Sequence, residues 1–181
     1  MSGEDRSWEH ELFGVLDDLE AQAEAEFAEA RRAEVADRAR AEYLHVTLAS
    51  RLMADLGRQA TLQVEGVGTL TGTLDRVATG WLLLTSPTAH WIVRHVALLA
   101  VRDAGSRSVP EVAWPVTAKL RLPSPVRRLA DDQVRCVFHH RDASRAEGVP
   151  TRVGQDFIEI DAGGRLDLIP VPALSAIQYR P

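Results

Sequence analysis

Apolar positions along the chain follow two different rhythms. Trp8, Leu12, Val15, Leu16 and Leu19 recur at helical spacing with Phe13 beside them, forming one apolar stripe. From Ala21 to Ala41 the large apolar residues thin to Phe27 and Val35, and alanine carries the pattern. Leu44, Leu48, Leu52 and Leu56 then follow at steps of four. No glycine or proline interrupts Val15 to Leu56, and the segment is dense in Ala, Glu, Leu and Arg, the strong helix formers. Ser7 can cap the first turn, with Glu9 and Glu11 near the positive end of the helix dipole, and Gly57 supplies a stop. This pattern predicts a long helical arm. Its last stripe is expected to pack on the strands that follow, whereas the Trp8–Leu19 stripe has no neighbouring strand to cover it.

Beyond Gly57 the rhythm changes to alternation. Leu62 and Val64 alternate, Gly66-Val-Gly68 makes a turn, and Leu70, Gly72 and Leu74 alternate with threonines and Asp75, the period of a half-buried strand. Trp81–Leu84, Trp91–Val96 and Leu98–Arg102 complete five short strands. Shifting the chain by 76 positions lays Gly72–Val77 on Gly148–Val153, Trp81–Leu84 on Phe157–Ile160, and Ala97–Val101 on Ala173–Ile177 without a gap. Upstream, Ala60, Leu62 and Val64 match Val134, Cys136 and Phe138 if two residues are inserted in the second hairpin loop. A second set of five strands is therefore expected, preceded by a short helix that Ser124 caps and Pro125 opens.

The stretch Leu52–Arg102, a helix followed by Gly57, Leu62-x-Val64, Gly72-x-Leu74 and Trp81-Leu82-Leu83, resembles an Sm-like (SH3-type) β-barrel, and Val126–Tyr179 is similar. The whole chain resembles a group of uncharacterised actinobacterial proteins, with a helical N-terminal arm and tandem Sm-like barrels, some labelled Fis-type regulators. The resemblance implies an α+β fold: an acidic helical arm over 1–43, barrel 1 with its helix over 44–103, a proline-containing linker over 104–125 and barrel 2 over 126–181. Each barrel would be small, five-stranded and closed. The RNA-contacting elements of Sm proteins, Asp-x-x-x-Asn and Arg-Gly, are replaced here by Asp75-Arg-Val-Ala-Thr79 and Arg94-His95. The C-terminus reads as strand, where a Fis-type regulator carries a helix-turn-helix.

Charge sharpens this division. Net charge is −5, but residues 1–44 carry −8 and the remainder +3. An arm this acidic repels phosphate backbones, so any nucleic-acid contact falls to the C-terminal part. Its basic residues Lys119, Arg121, Arg127, Arg128 and Arg135 form the candidate anion-binding face, interleaved with Asp131 and Asp132 and poor in aromatic residues for base stacking. No apolar run approaches the ~18 residues of a membrane span, and a lone Cys136 excludes an internal disulfide framework. A cytoplasmic protein with no membrane contact is expected.

Catalytic and ligand motifs are weak. Gly66-x-Gly68-x-x-x-Gly72 has Thr71 where a dinucleotide fingerprint needs a small residue, and a strand follows where a helix should. Cys136-x-x-His139-His140 resembles a metal set, but adjacent residues of a strand face opposite ways and three or four converging ligands are needed. His90 and His95 flank one strand and could pair with Asp75 or Asp103. The sequence thus points to a non-catalytic interaction or scaffolding protein, using no cofactor, metal or small-molecule substrate. A protein partner or a second copy would meet the arm at Trp8, Leu12, Phe13, Leu16 and Leu19. The alternative is an RNA- or DNA-associated regulator using the basic face of the second barrel.

Overall fold

A computed structural model describes the backbone of residues 4–180 and the side chains of residues 22–180, those of Ala23 and Ala30 excepted. The chain divides into two units, residues 1–46 and 47–181. The first is helix α1, Glu4–Tyr43. Its described side chains are nearly all exposed, Phe27 and Val35 among them, and Arg38 lies one turn beyond Glu34 with its guanidinium 3.5 Å from the carboxylate. The side chains of Trp8, Leu12, Phe13, Leu16 and Leu19 lie outside the described residues.

The leucine series at steps of four does not occupy a single helix. Helix α2, Leu48–Ala54, starts afresh at Thr47, whose hydroxyl accepts from the Ser50 N–H at 3.1 Å while the Thr47 N–H donates to Ser50 Oγ at 3.0 Å. This reciprocal cap satisfies two otherwise unpaired donors and fixes a new helix start. Leu44 is therefore 85% exposed, while Leu52 at 1% enters the core.

Ten strands follow, in two runs: β1 (Gln59–Val64), β2 (Gly68–Ala78), β3 (Trp81–Thr85), β4 (His90–Arg94) and β5 (Leu98–Arg102), then β6 (Cys136–His140), β7 (Arg145–Val153), β8 (Phe157–Asp161), β9 (Leu166–Pro170) and β10 (Leu174–Tyr179). Helix α3, Pro123–Asp131, precedes the second run. Pro123 takes its first turn, where a missing N–H costs nothing; Leu122 is the N-cap residue and Ser124 caps nothing.

Two separate closed barrels are not what these strands make. They form one open antiparallel sheet of ten strands in the order β5-β1-β2-β3-β4-β10-β6-β7-β8-β9. The physical reason lies at the middle. Strand β4 does not return to β5 but pairs with β10, Ala176 opposite Val93, Ile177 opposite Ile92 and Gln178 opposite Trp91. Alternation on these two central strands then serves two cores. Val93 and Ala176 face a core with Leu62, Leu74, Leu82 and Leu84. Ile92 and Ile177 face another with Phe138, Ile158, Ile160 and Leu174, which also takes in Trp81 and Ala78. Each half thus completes the other's core, and each large apolar side chain so buried contributes roughly 1.5–3 kcal/mol.

The two halves repeat one pattern of pairing. Strands β2 and β3 pair Thr73 with Thr85 and Leu74 with Leu84, slip one residue, then pair Arg76 with Leu83. Strands β7 and β8 pair Val149 with Asp161 and Pro150 with Ile160, slip at the same place, then pair Arg152 with Glu159, every partner 76 residues further on. The same offset holds in the first hairpin, where Ala60 opposite Gly72 corresponds to Cys136 opposite Gly148. No two-residue insertion is present: Leu62 corresponds to Phe138, not to Cys136. Gly72 and Gly148 are required by close approach. A Cβ there would lie 2.4 Å from the Thr85 carbonyl oxygen and 2.5 Å from that of Asp161, respectively.

Residues between the halves are packed down. The Val109 N–H donates to the Ser50 carbonyl at 2.9 Å and the Thr79 N–H to that of Ala118 at 2.8 Å, while Trp81 Nε1–H donates to the Leu120 carbonyl at 2.8 Å. Asp55 accepts from the Gly105 N–H at 2.8 Å and from Arg58 at 2.8 Å. No helix among the described residues is long and apolar enough to cross a membrane.

Candidate protein-interaction surface

The open sheet ends in two strands paired on one side only, β5 with β1 and β9 with β8. Each has a counterpart at the central seam, and the comparison isolates what pairing does. Leu99 of β5 is 64% exposed, while Ser175, its equivalent in β10, is fully covered. Leu168 of β9 is 61% exposed, while its equivalent in β4, Ile92, is 2% exposed. Leu166 is also exposed. Such a row of apolar side chains beside free backbone donors and acceptors is a template for another strand.

A groove of about 500 Å³ lies along the β9 end, lined in part by His140, Arg141, Ala146, Leu168, Ile169 and Pro170. Position by position these correspond to Val64, Glu65, Leu70, Ile92, Val93 and Arg94. In the first half β10 lies against that place. There Arg94 donates to the carbonyls of Val171 at 2.6 Å and Leu174 at 3.1 Å, His139 packs on Trp91 with ring centroids 5.2 Å apart, and Arg141 donates to Glu65 at 2.7 Å.

The anion-binding candidates are distributed otherwise than a phosphate-tracking face requires. Lys119 ends a 3-10 turn, Arg121 precedes α3, and Arg127 and Arg128 lie on its exposed side. Arg128 is held by Asp132 at 2.8 Å, which raises its pKa. Arg135 is held by Glu147 at 2.7 Å. Two of the five cations thus already have carboxylate partners.

The cysteine and histidine residues are absorbed by packing. Cys136 is buried, its thiol donating to the Val134 carbonyl at 3.3 Å, and burial pushes its pKa up to about 12, far from a ready thiolate. His139 meets Gln178 at 3.3 Å and His140 meets Ser144 at 2.9 Å. His90 stands edge-on to Tyr179 with centroids 5.3 Å apart, not paired to Asp75. His95 is half-buried, which lowers its pKa, and its Nε2 has no hydrogen-bond partner. Among the described residues no group of three or more His, Cys, Asp or Glu could hold a metal.

Comparison with known protein families and with curated proteins finds no match to the chain. The open edges were missed in the sequence because Leu99, Leu166 and Leu168 look like ordinary strand residues. Leu168 falls where Ile92 falls, but the strand that follows β9, β10, pairs with β4 and leaves Leu168 uncovered, a choice that no local pattern marks.

Proposed function

We propose that this chain is a cytoplasmic, non-catalytic interaction or scaffolding protein that works through protein–protein contacts. The observation that carries this reading is the pair of open strand edges at the two ends of one sheet, with Leu99 and Leu168 well exposed on those strands. Strand addition at such an edge takes its affinity from main-chain hydrogen bonds and its specificity from alternate side chains. The helical arm, with Trp8, Leu12, Phe13, Leu16 and Leu19 on one stripe, offers a second contact in the same reading. The nucleic-acid alternative is less well supported, since Arg128 and Arg135 already face carboxylates.

The test is photo-crosslinking. Benzoylphenylalanine replaces Leu99 or Leu168 in the full chain, which is illuminated in the cell that makes it. Discrete adducts with defined proteins at both positions are expected, with none from the same probe at exposed Arg152. Adducts to RNA alone, or none at any edge position, would overturn the proposal.

A further inference from the structure

One face of the sheet carries a cross-strand row that the second half does not repeat. Arg76 pairs with Leu83, Leu83 with Ile92, and Ile92 with Ile177, so these side chains stand on one face. The residues 76 further on form the row Arg152, Glu159 and Leu168. There Arg152 has the Glu159 carboxylate 3.8 Å away. In the first half Leu83 stands in place of that acid, and it lines a cavity of about 430 Å³.

Trp81 and Ile92 of the sheet and Leu129 of α3, all buried, give this cavity an apolar lining. A volume of this size, apolar with a few placed polar groups, is typical of small-molecule sites. Its polar groups can all donate: the guanidiniums of Arg76 and Arg128 and the hydroxyls of Ser124 and Tyr179. Among the described residues no carboxylate lines it. We propose that this cavity binds a linear fatty carboxylate, its headgroup held by Arg76 and Arg128 and its chain lying along Trp81, Leu83 and Leu129. The proposal goes beyond the interaction reading and is independent of the strand edges.

Both cations can serve a ligand. Arg128 gives its Nε–H to Asp132 at 2.8 Å, a bond that uses one N–H of the guanidinium and orients the rest. Arg76 Nε lies 3.8 Å from Asp75, with both side chains mostly exposed; this is beyond hydrogen-bond reach, and such a surface pair contributes little. Burial pushes the Tyr179 pKa up, so its hydroxyl keeps its proton and donates. A carboxylate suits this set because it is planar and accepts paired N–H groups from arginine. The shape favours an extended chain over a compact ring. A second cavity of about 230 Å³ shares Arg76, Trp81 and Leu120 and continues the apolar path to Met53 and Leu56.

Isothermal titration of the full chain with dodecanoate, below its micellar range, reads this directly. A single saturable site per chain is expected, weakened about tenfold by Arg76→Gln or Arg128→Gln through loss of a charge-assisted hydrogen bond. Added salt should weaken it too. Leu83→Glu sets beside Arg76 the acid that Arg152 has, and should abolish binding. Arg152→Gln, at the equivalent place in the second half, should leave the affinity unchanged. Circular dichroism and the melting transition confirm that each variant is folded; should Leu83→Glu not fold, the arginine variants decide alone. Dodecanol and dodecyltrimethylammonium carry the same chain without the negative charge and should bind about tenfold more weakly or worse. Equal binding of the three probes, binding that survives Leu83→Glu in the folded chain, or no saturable site overturns the proposal. Binding seen only with phosphatidylglycerol vesicles overturns it as well, since the cations would then serve a membrane surface. Photo-adducts at positions 99 and 168 are indifferent to all of these results, so the interaction reading stands or falls separately.

Discussion

Strands β5 and β10 hold the same place in their halves, each entering from a 3-10 turn and pairing with the first strand of its half. Their surroundings could hardly differ more. Residues 174–177 of β10 are all buried, while Leu99, Ala100 and Arg102 of β5 are exposed. The local chain does not cause this difference, since both strands have the same pairing on one side. What differs is the other side, where β10 has β4 and β5 has nothing. Burial here is a property of neighbours, so the same pattern can be core in one half and binding surface in the other.

The strongest way to break this comparison is to remove matched side chains. Ile177, 1% exposed, and Val101 are equivalent. Ile177→Ala should cost about 2–5 kcal/mol by leaving a cavity that the second core cannot close. Val101→Ala should cost under about 1 kcal/mol, the loss of a partly solvated side chain. Urea denaturation at matched protein concentration measures both, and equal losses would mean that the seam buries no more than the edge does.

Where the halves are alike, they should respond alike. Gly72→Ala and Gly148→Ala each push a methyl group into a carbonyl of the neighbouring strand, and overpacking of this kind costs about 1–3 kcal/mol. Similar losses in the two variants are expected from the same titration; a large loss in one and none in the other would separate halves that the register makes equivalent. A smaller effect distinguishes the helix starts. Thr47→Ala removes a reciprocal cap and should cost about 1 kcal/mol, while Ser124→Ala, at a position with no capping bond, should leave the denaturation midpoint nearly unchanged.

Much of this architecture is local and therefore readable. Alternation of Leu70, Gly72 and Leu74 is the inward face of β2, and the offset of 76 residues relates the hairpin registers of the two halves. Three things are not legible in the side-chain pattern. The helix break at Thr47 was hidden by an unbroken run of leucines, because helical spacing outweighs a single capping threonine when only side-chain pattern is read. The start of the second repeat was placed two residues early: Cys136 and Phe138 share one parity, so a slip of two leaves the pattern intact. The closure of five strands into a barrel was contradicted by the β4–β10 pairing, which is a contact between residues more than 80 apart and leaves no periodicity in either strand. For the same reason the open edges could not be seen as a site, and the basic residues could be listed but not known to face Asp132 and Glu147.

The mildest way to sharpen the comparison is by pH, because the second half carries a histidine beside the seam where the first hairpin has none. His139 of β6 packs on Trp91 and meets Gln178, whereas its equivalent in β1 is Gln63, which accepts from Thr69 at 2.8 Å near the surface. Desolvation is the main cause that lowers the His139 pKa, helped by Arg145 and His140 and opposed by the bond to Gln178. The sign follows from proton counting. As pH falls through the ordinary histidine range near ~6.5, the unfolded chain takes up a proton that the folded chain still refuses, so folding weakens. Stability contributed by the neutral ring is present above that range and is lost progressively below it, down to the lowered folded pKa. His95, also lowered by burial, adds a parallel loss from the first half. His139→Gln, which copies the residue of the first hairpin, should remove the part of the slope between roughly pH 7 and pH 5 that belongs to the seam, and leave the His95 part. Urea midpoints measured at closely spaced pH values read this out. A slope unchanged by His139→Gln would show that the seam ring titrates alike in the folded and unfolded chain.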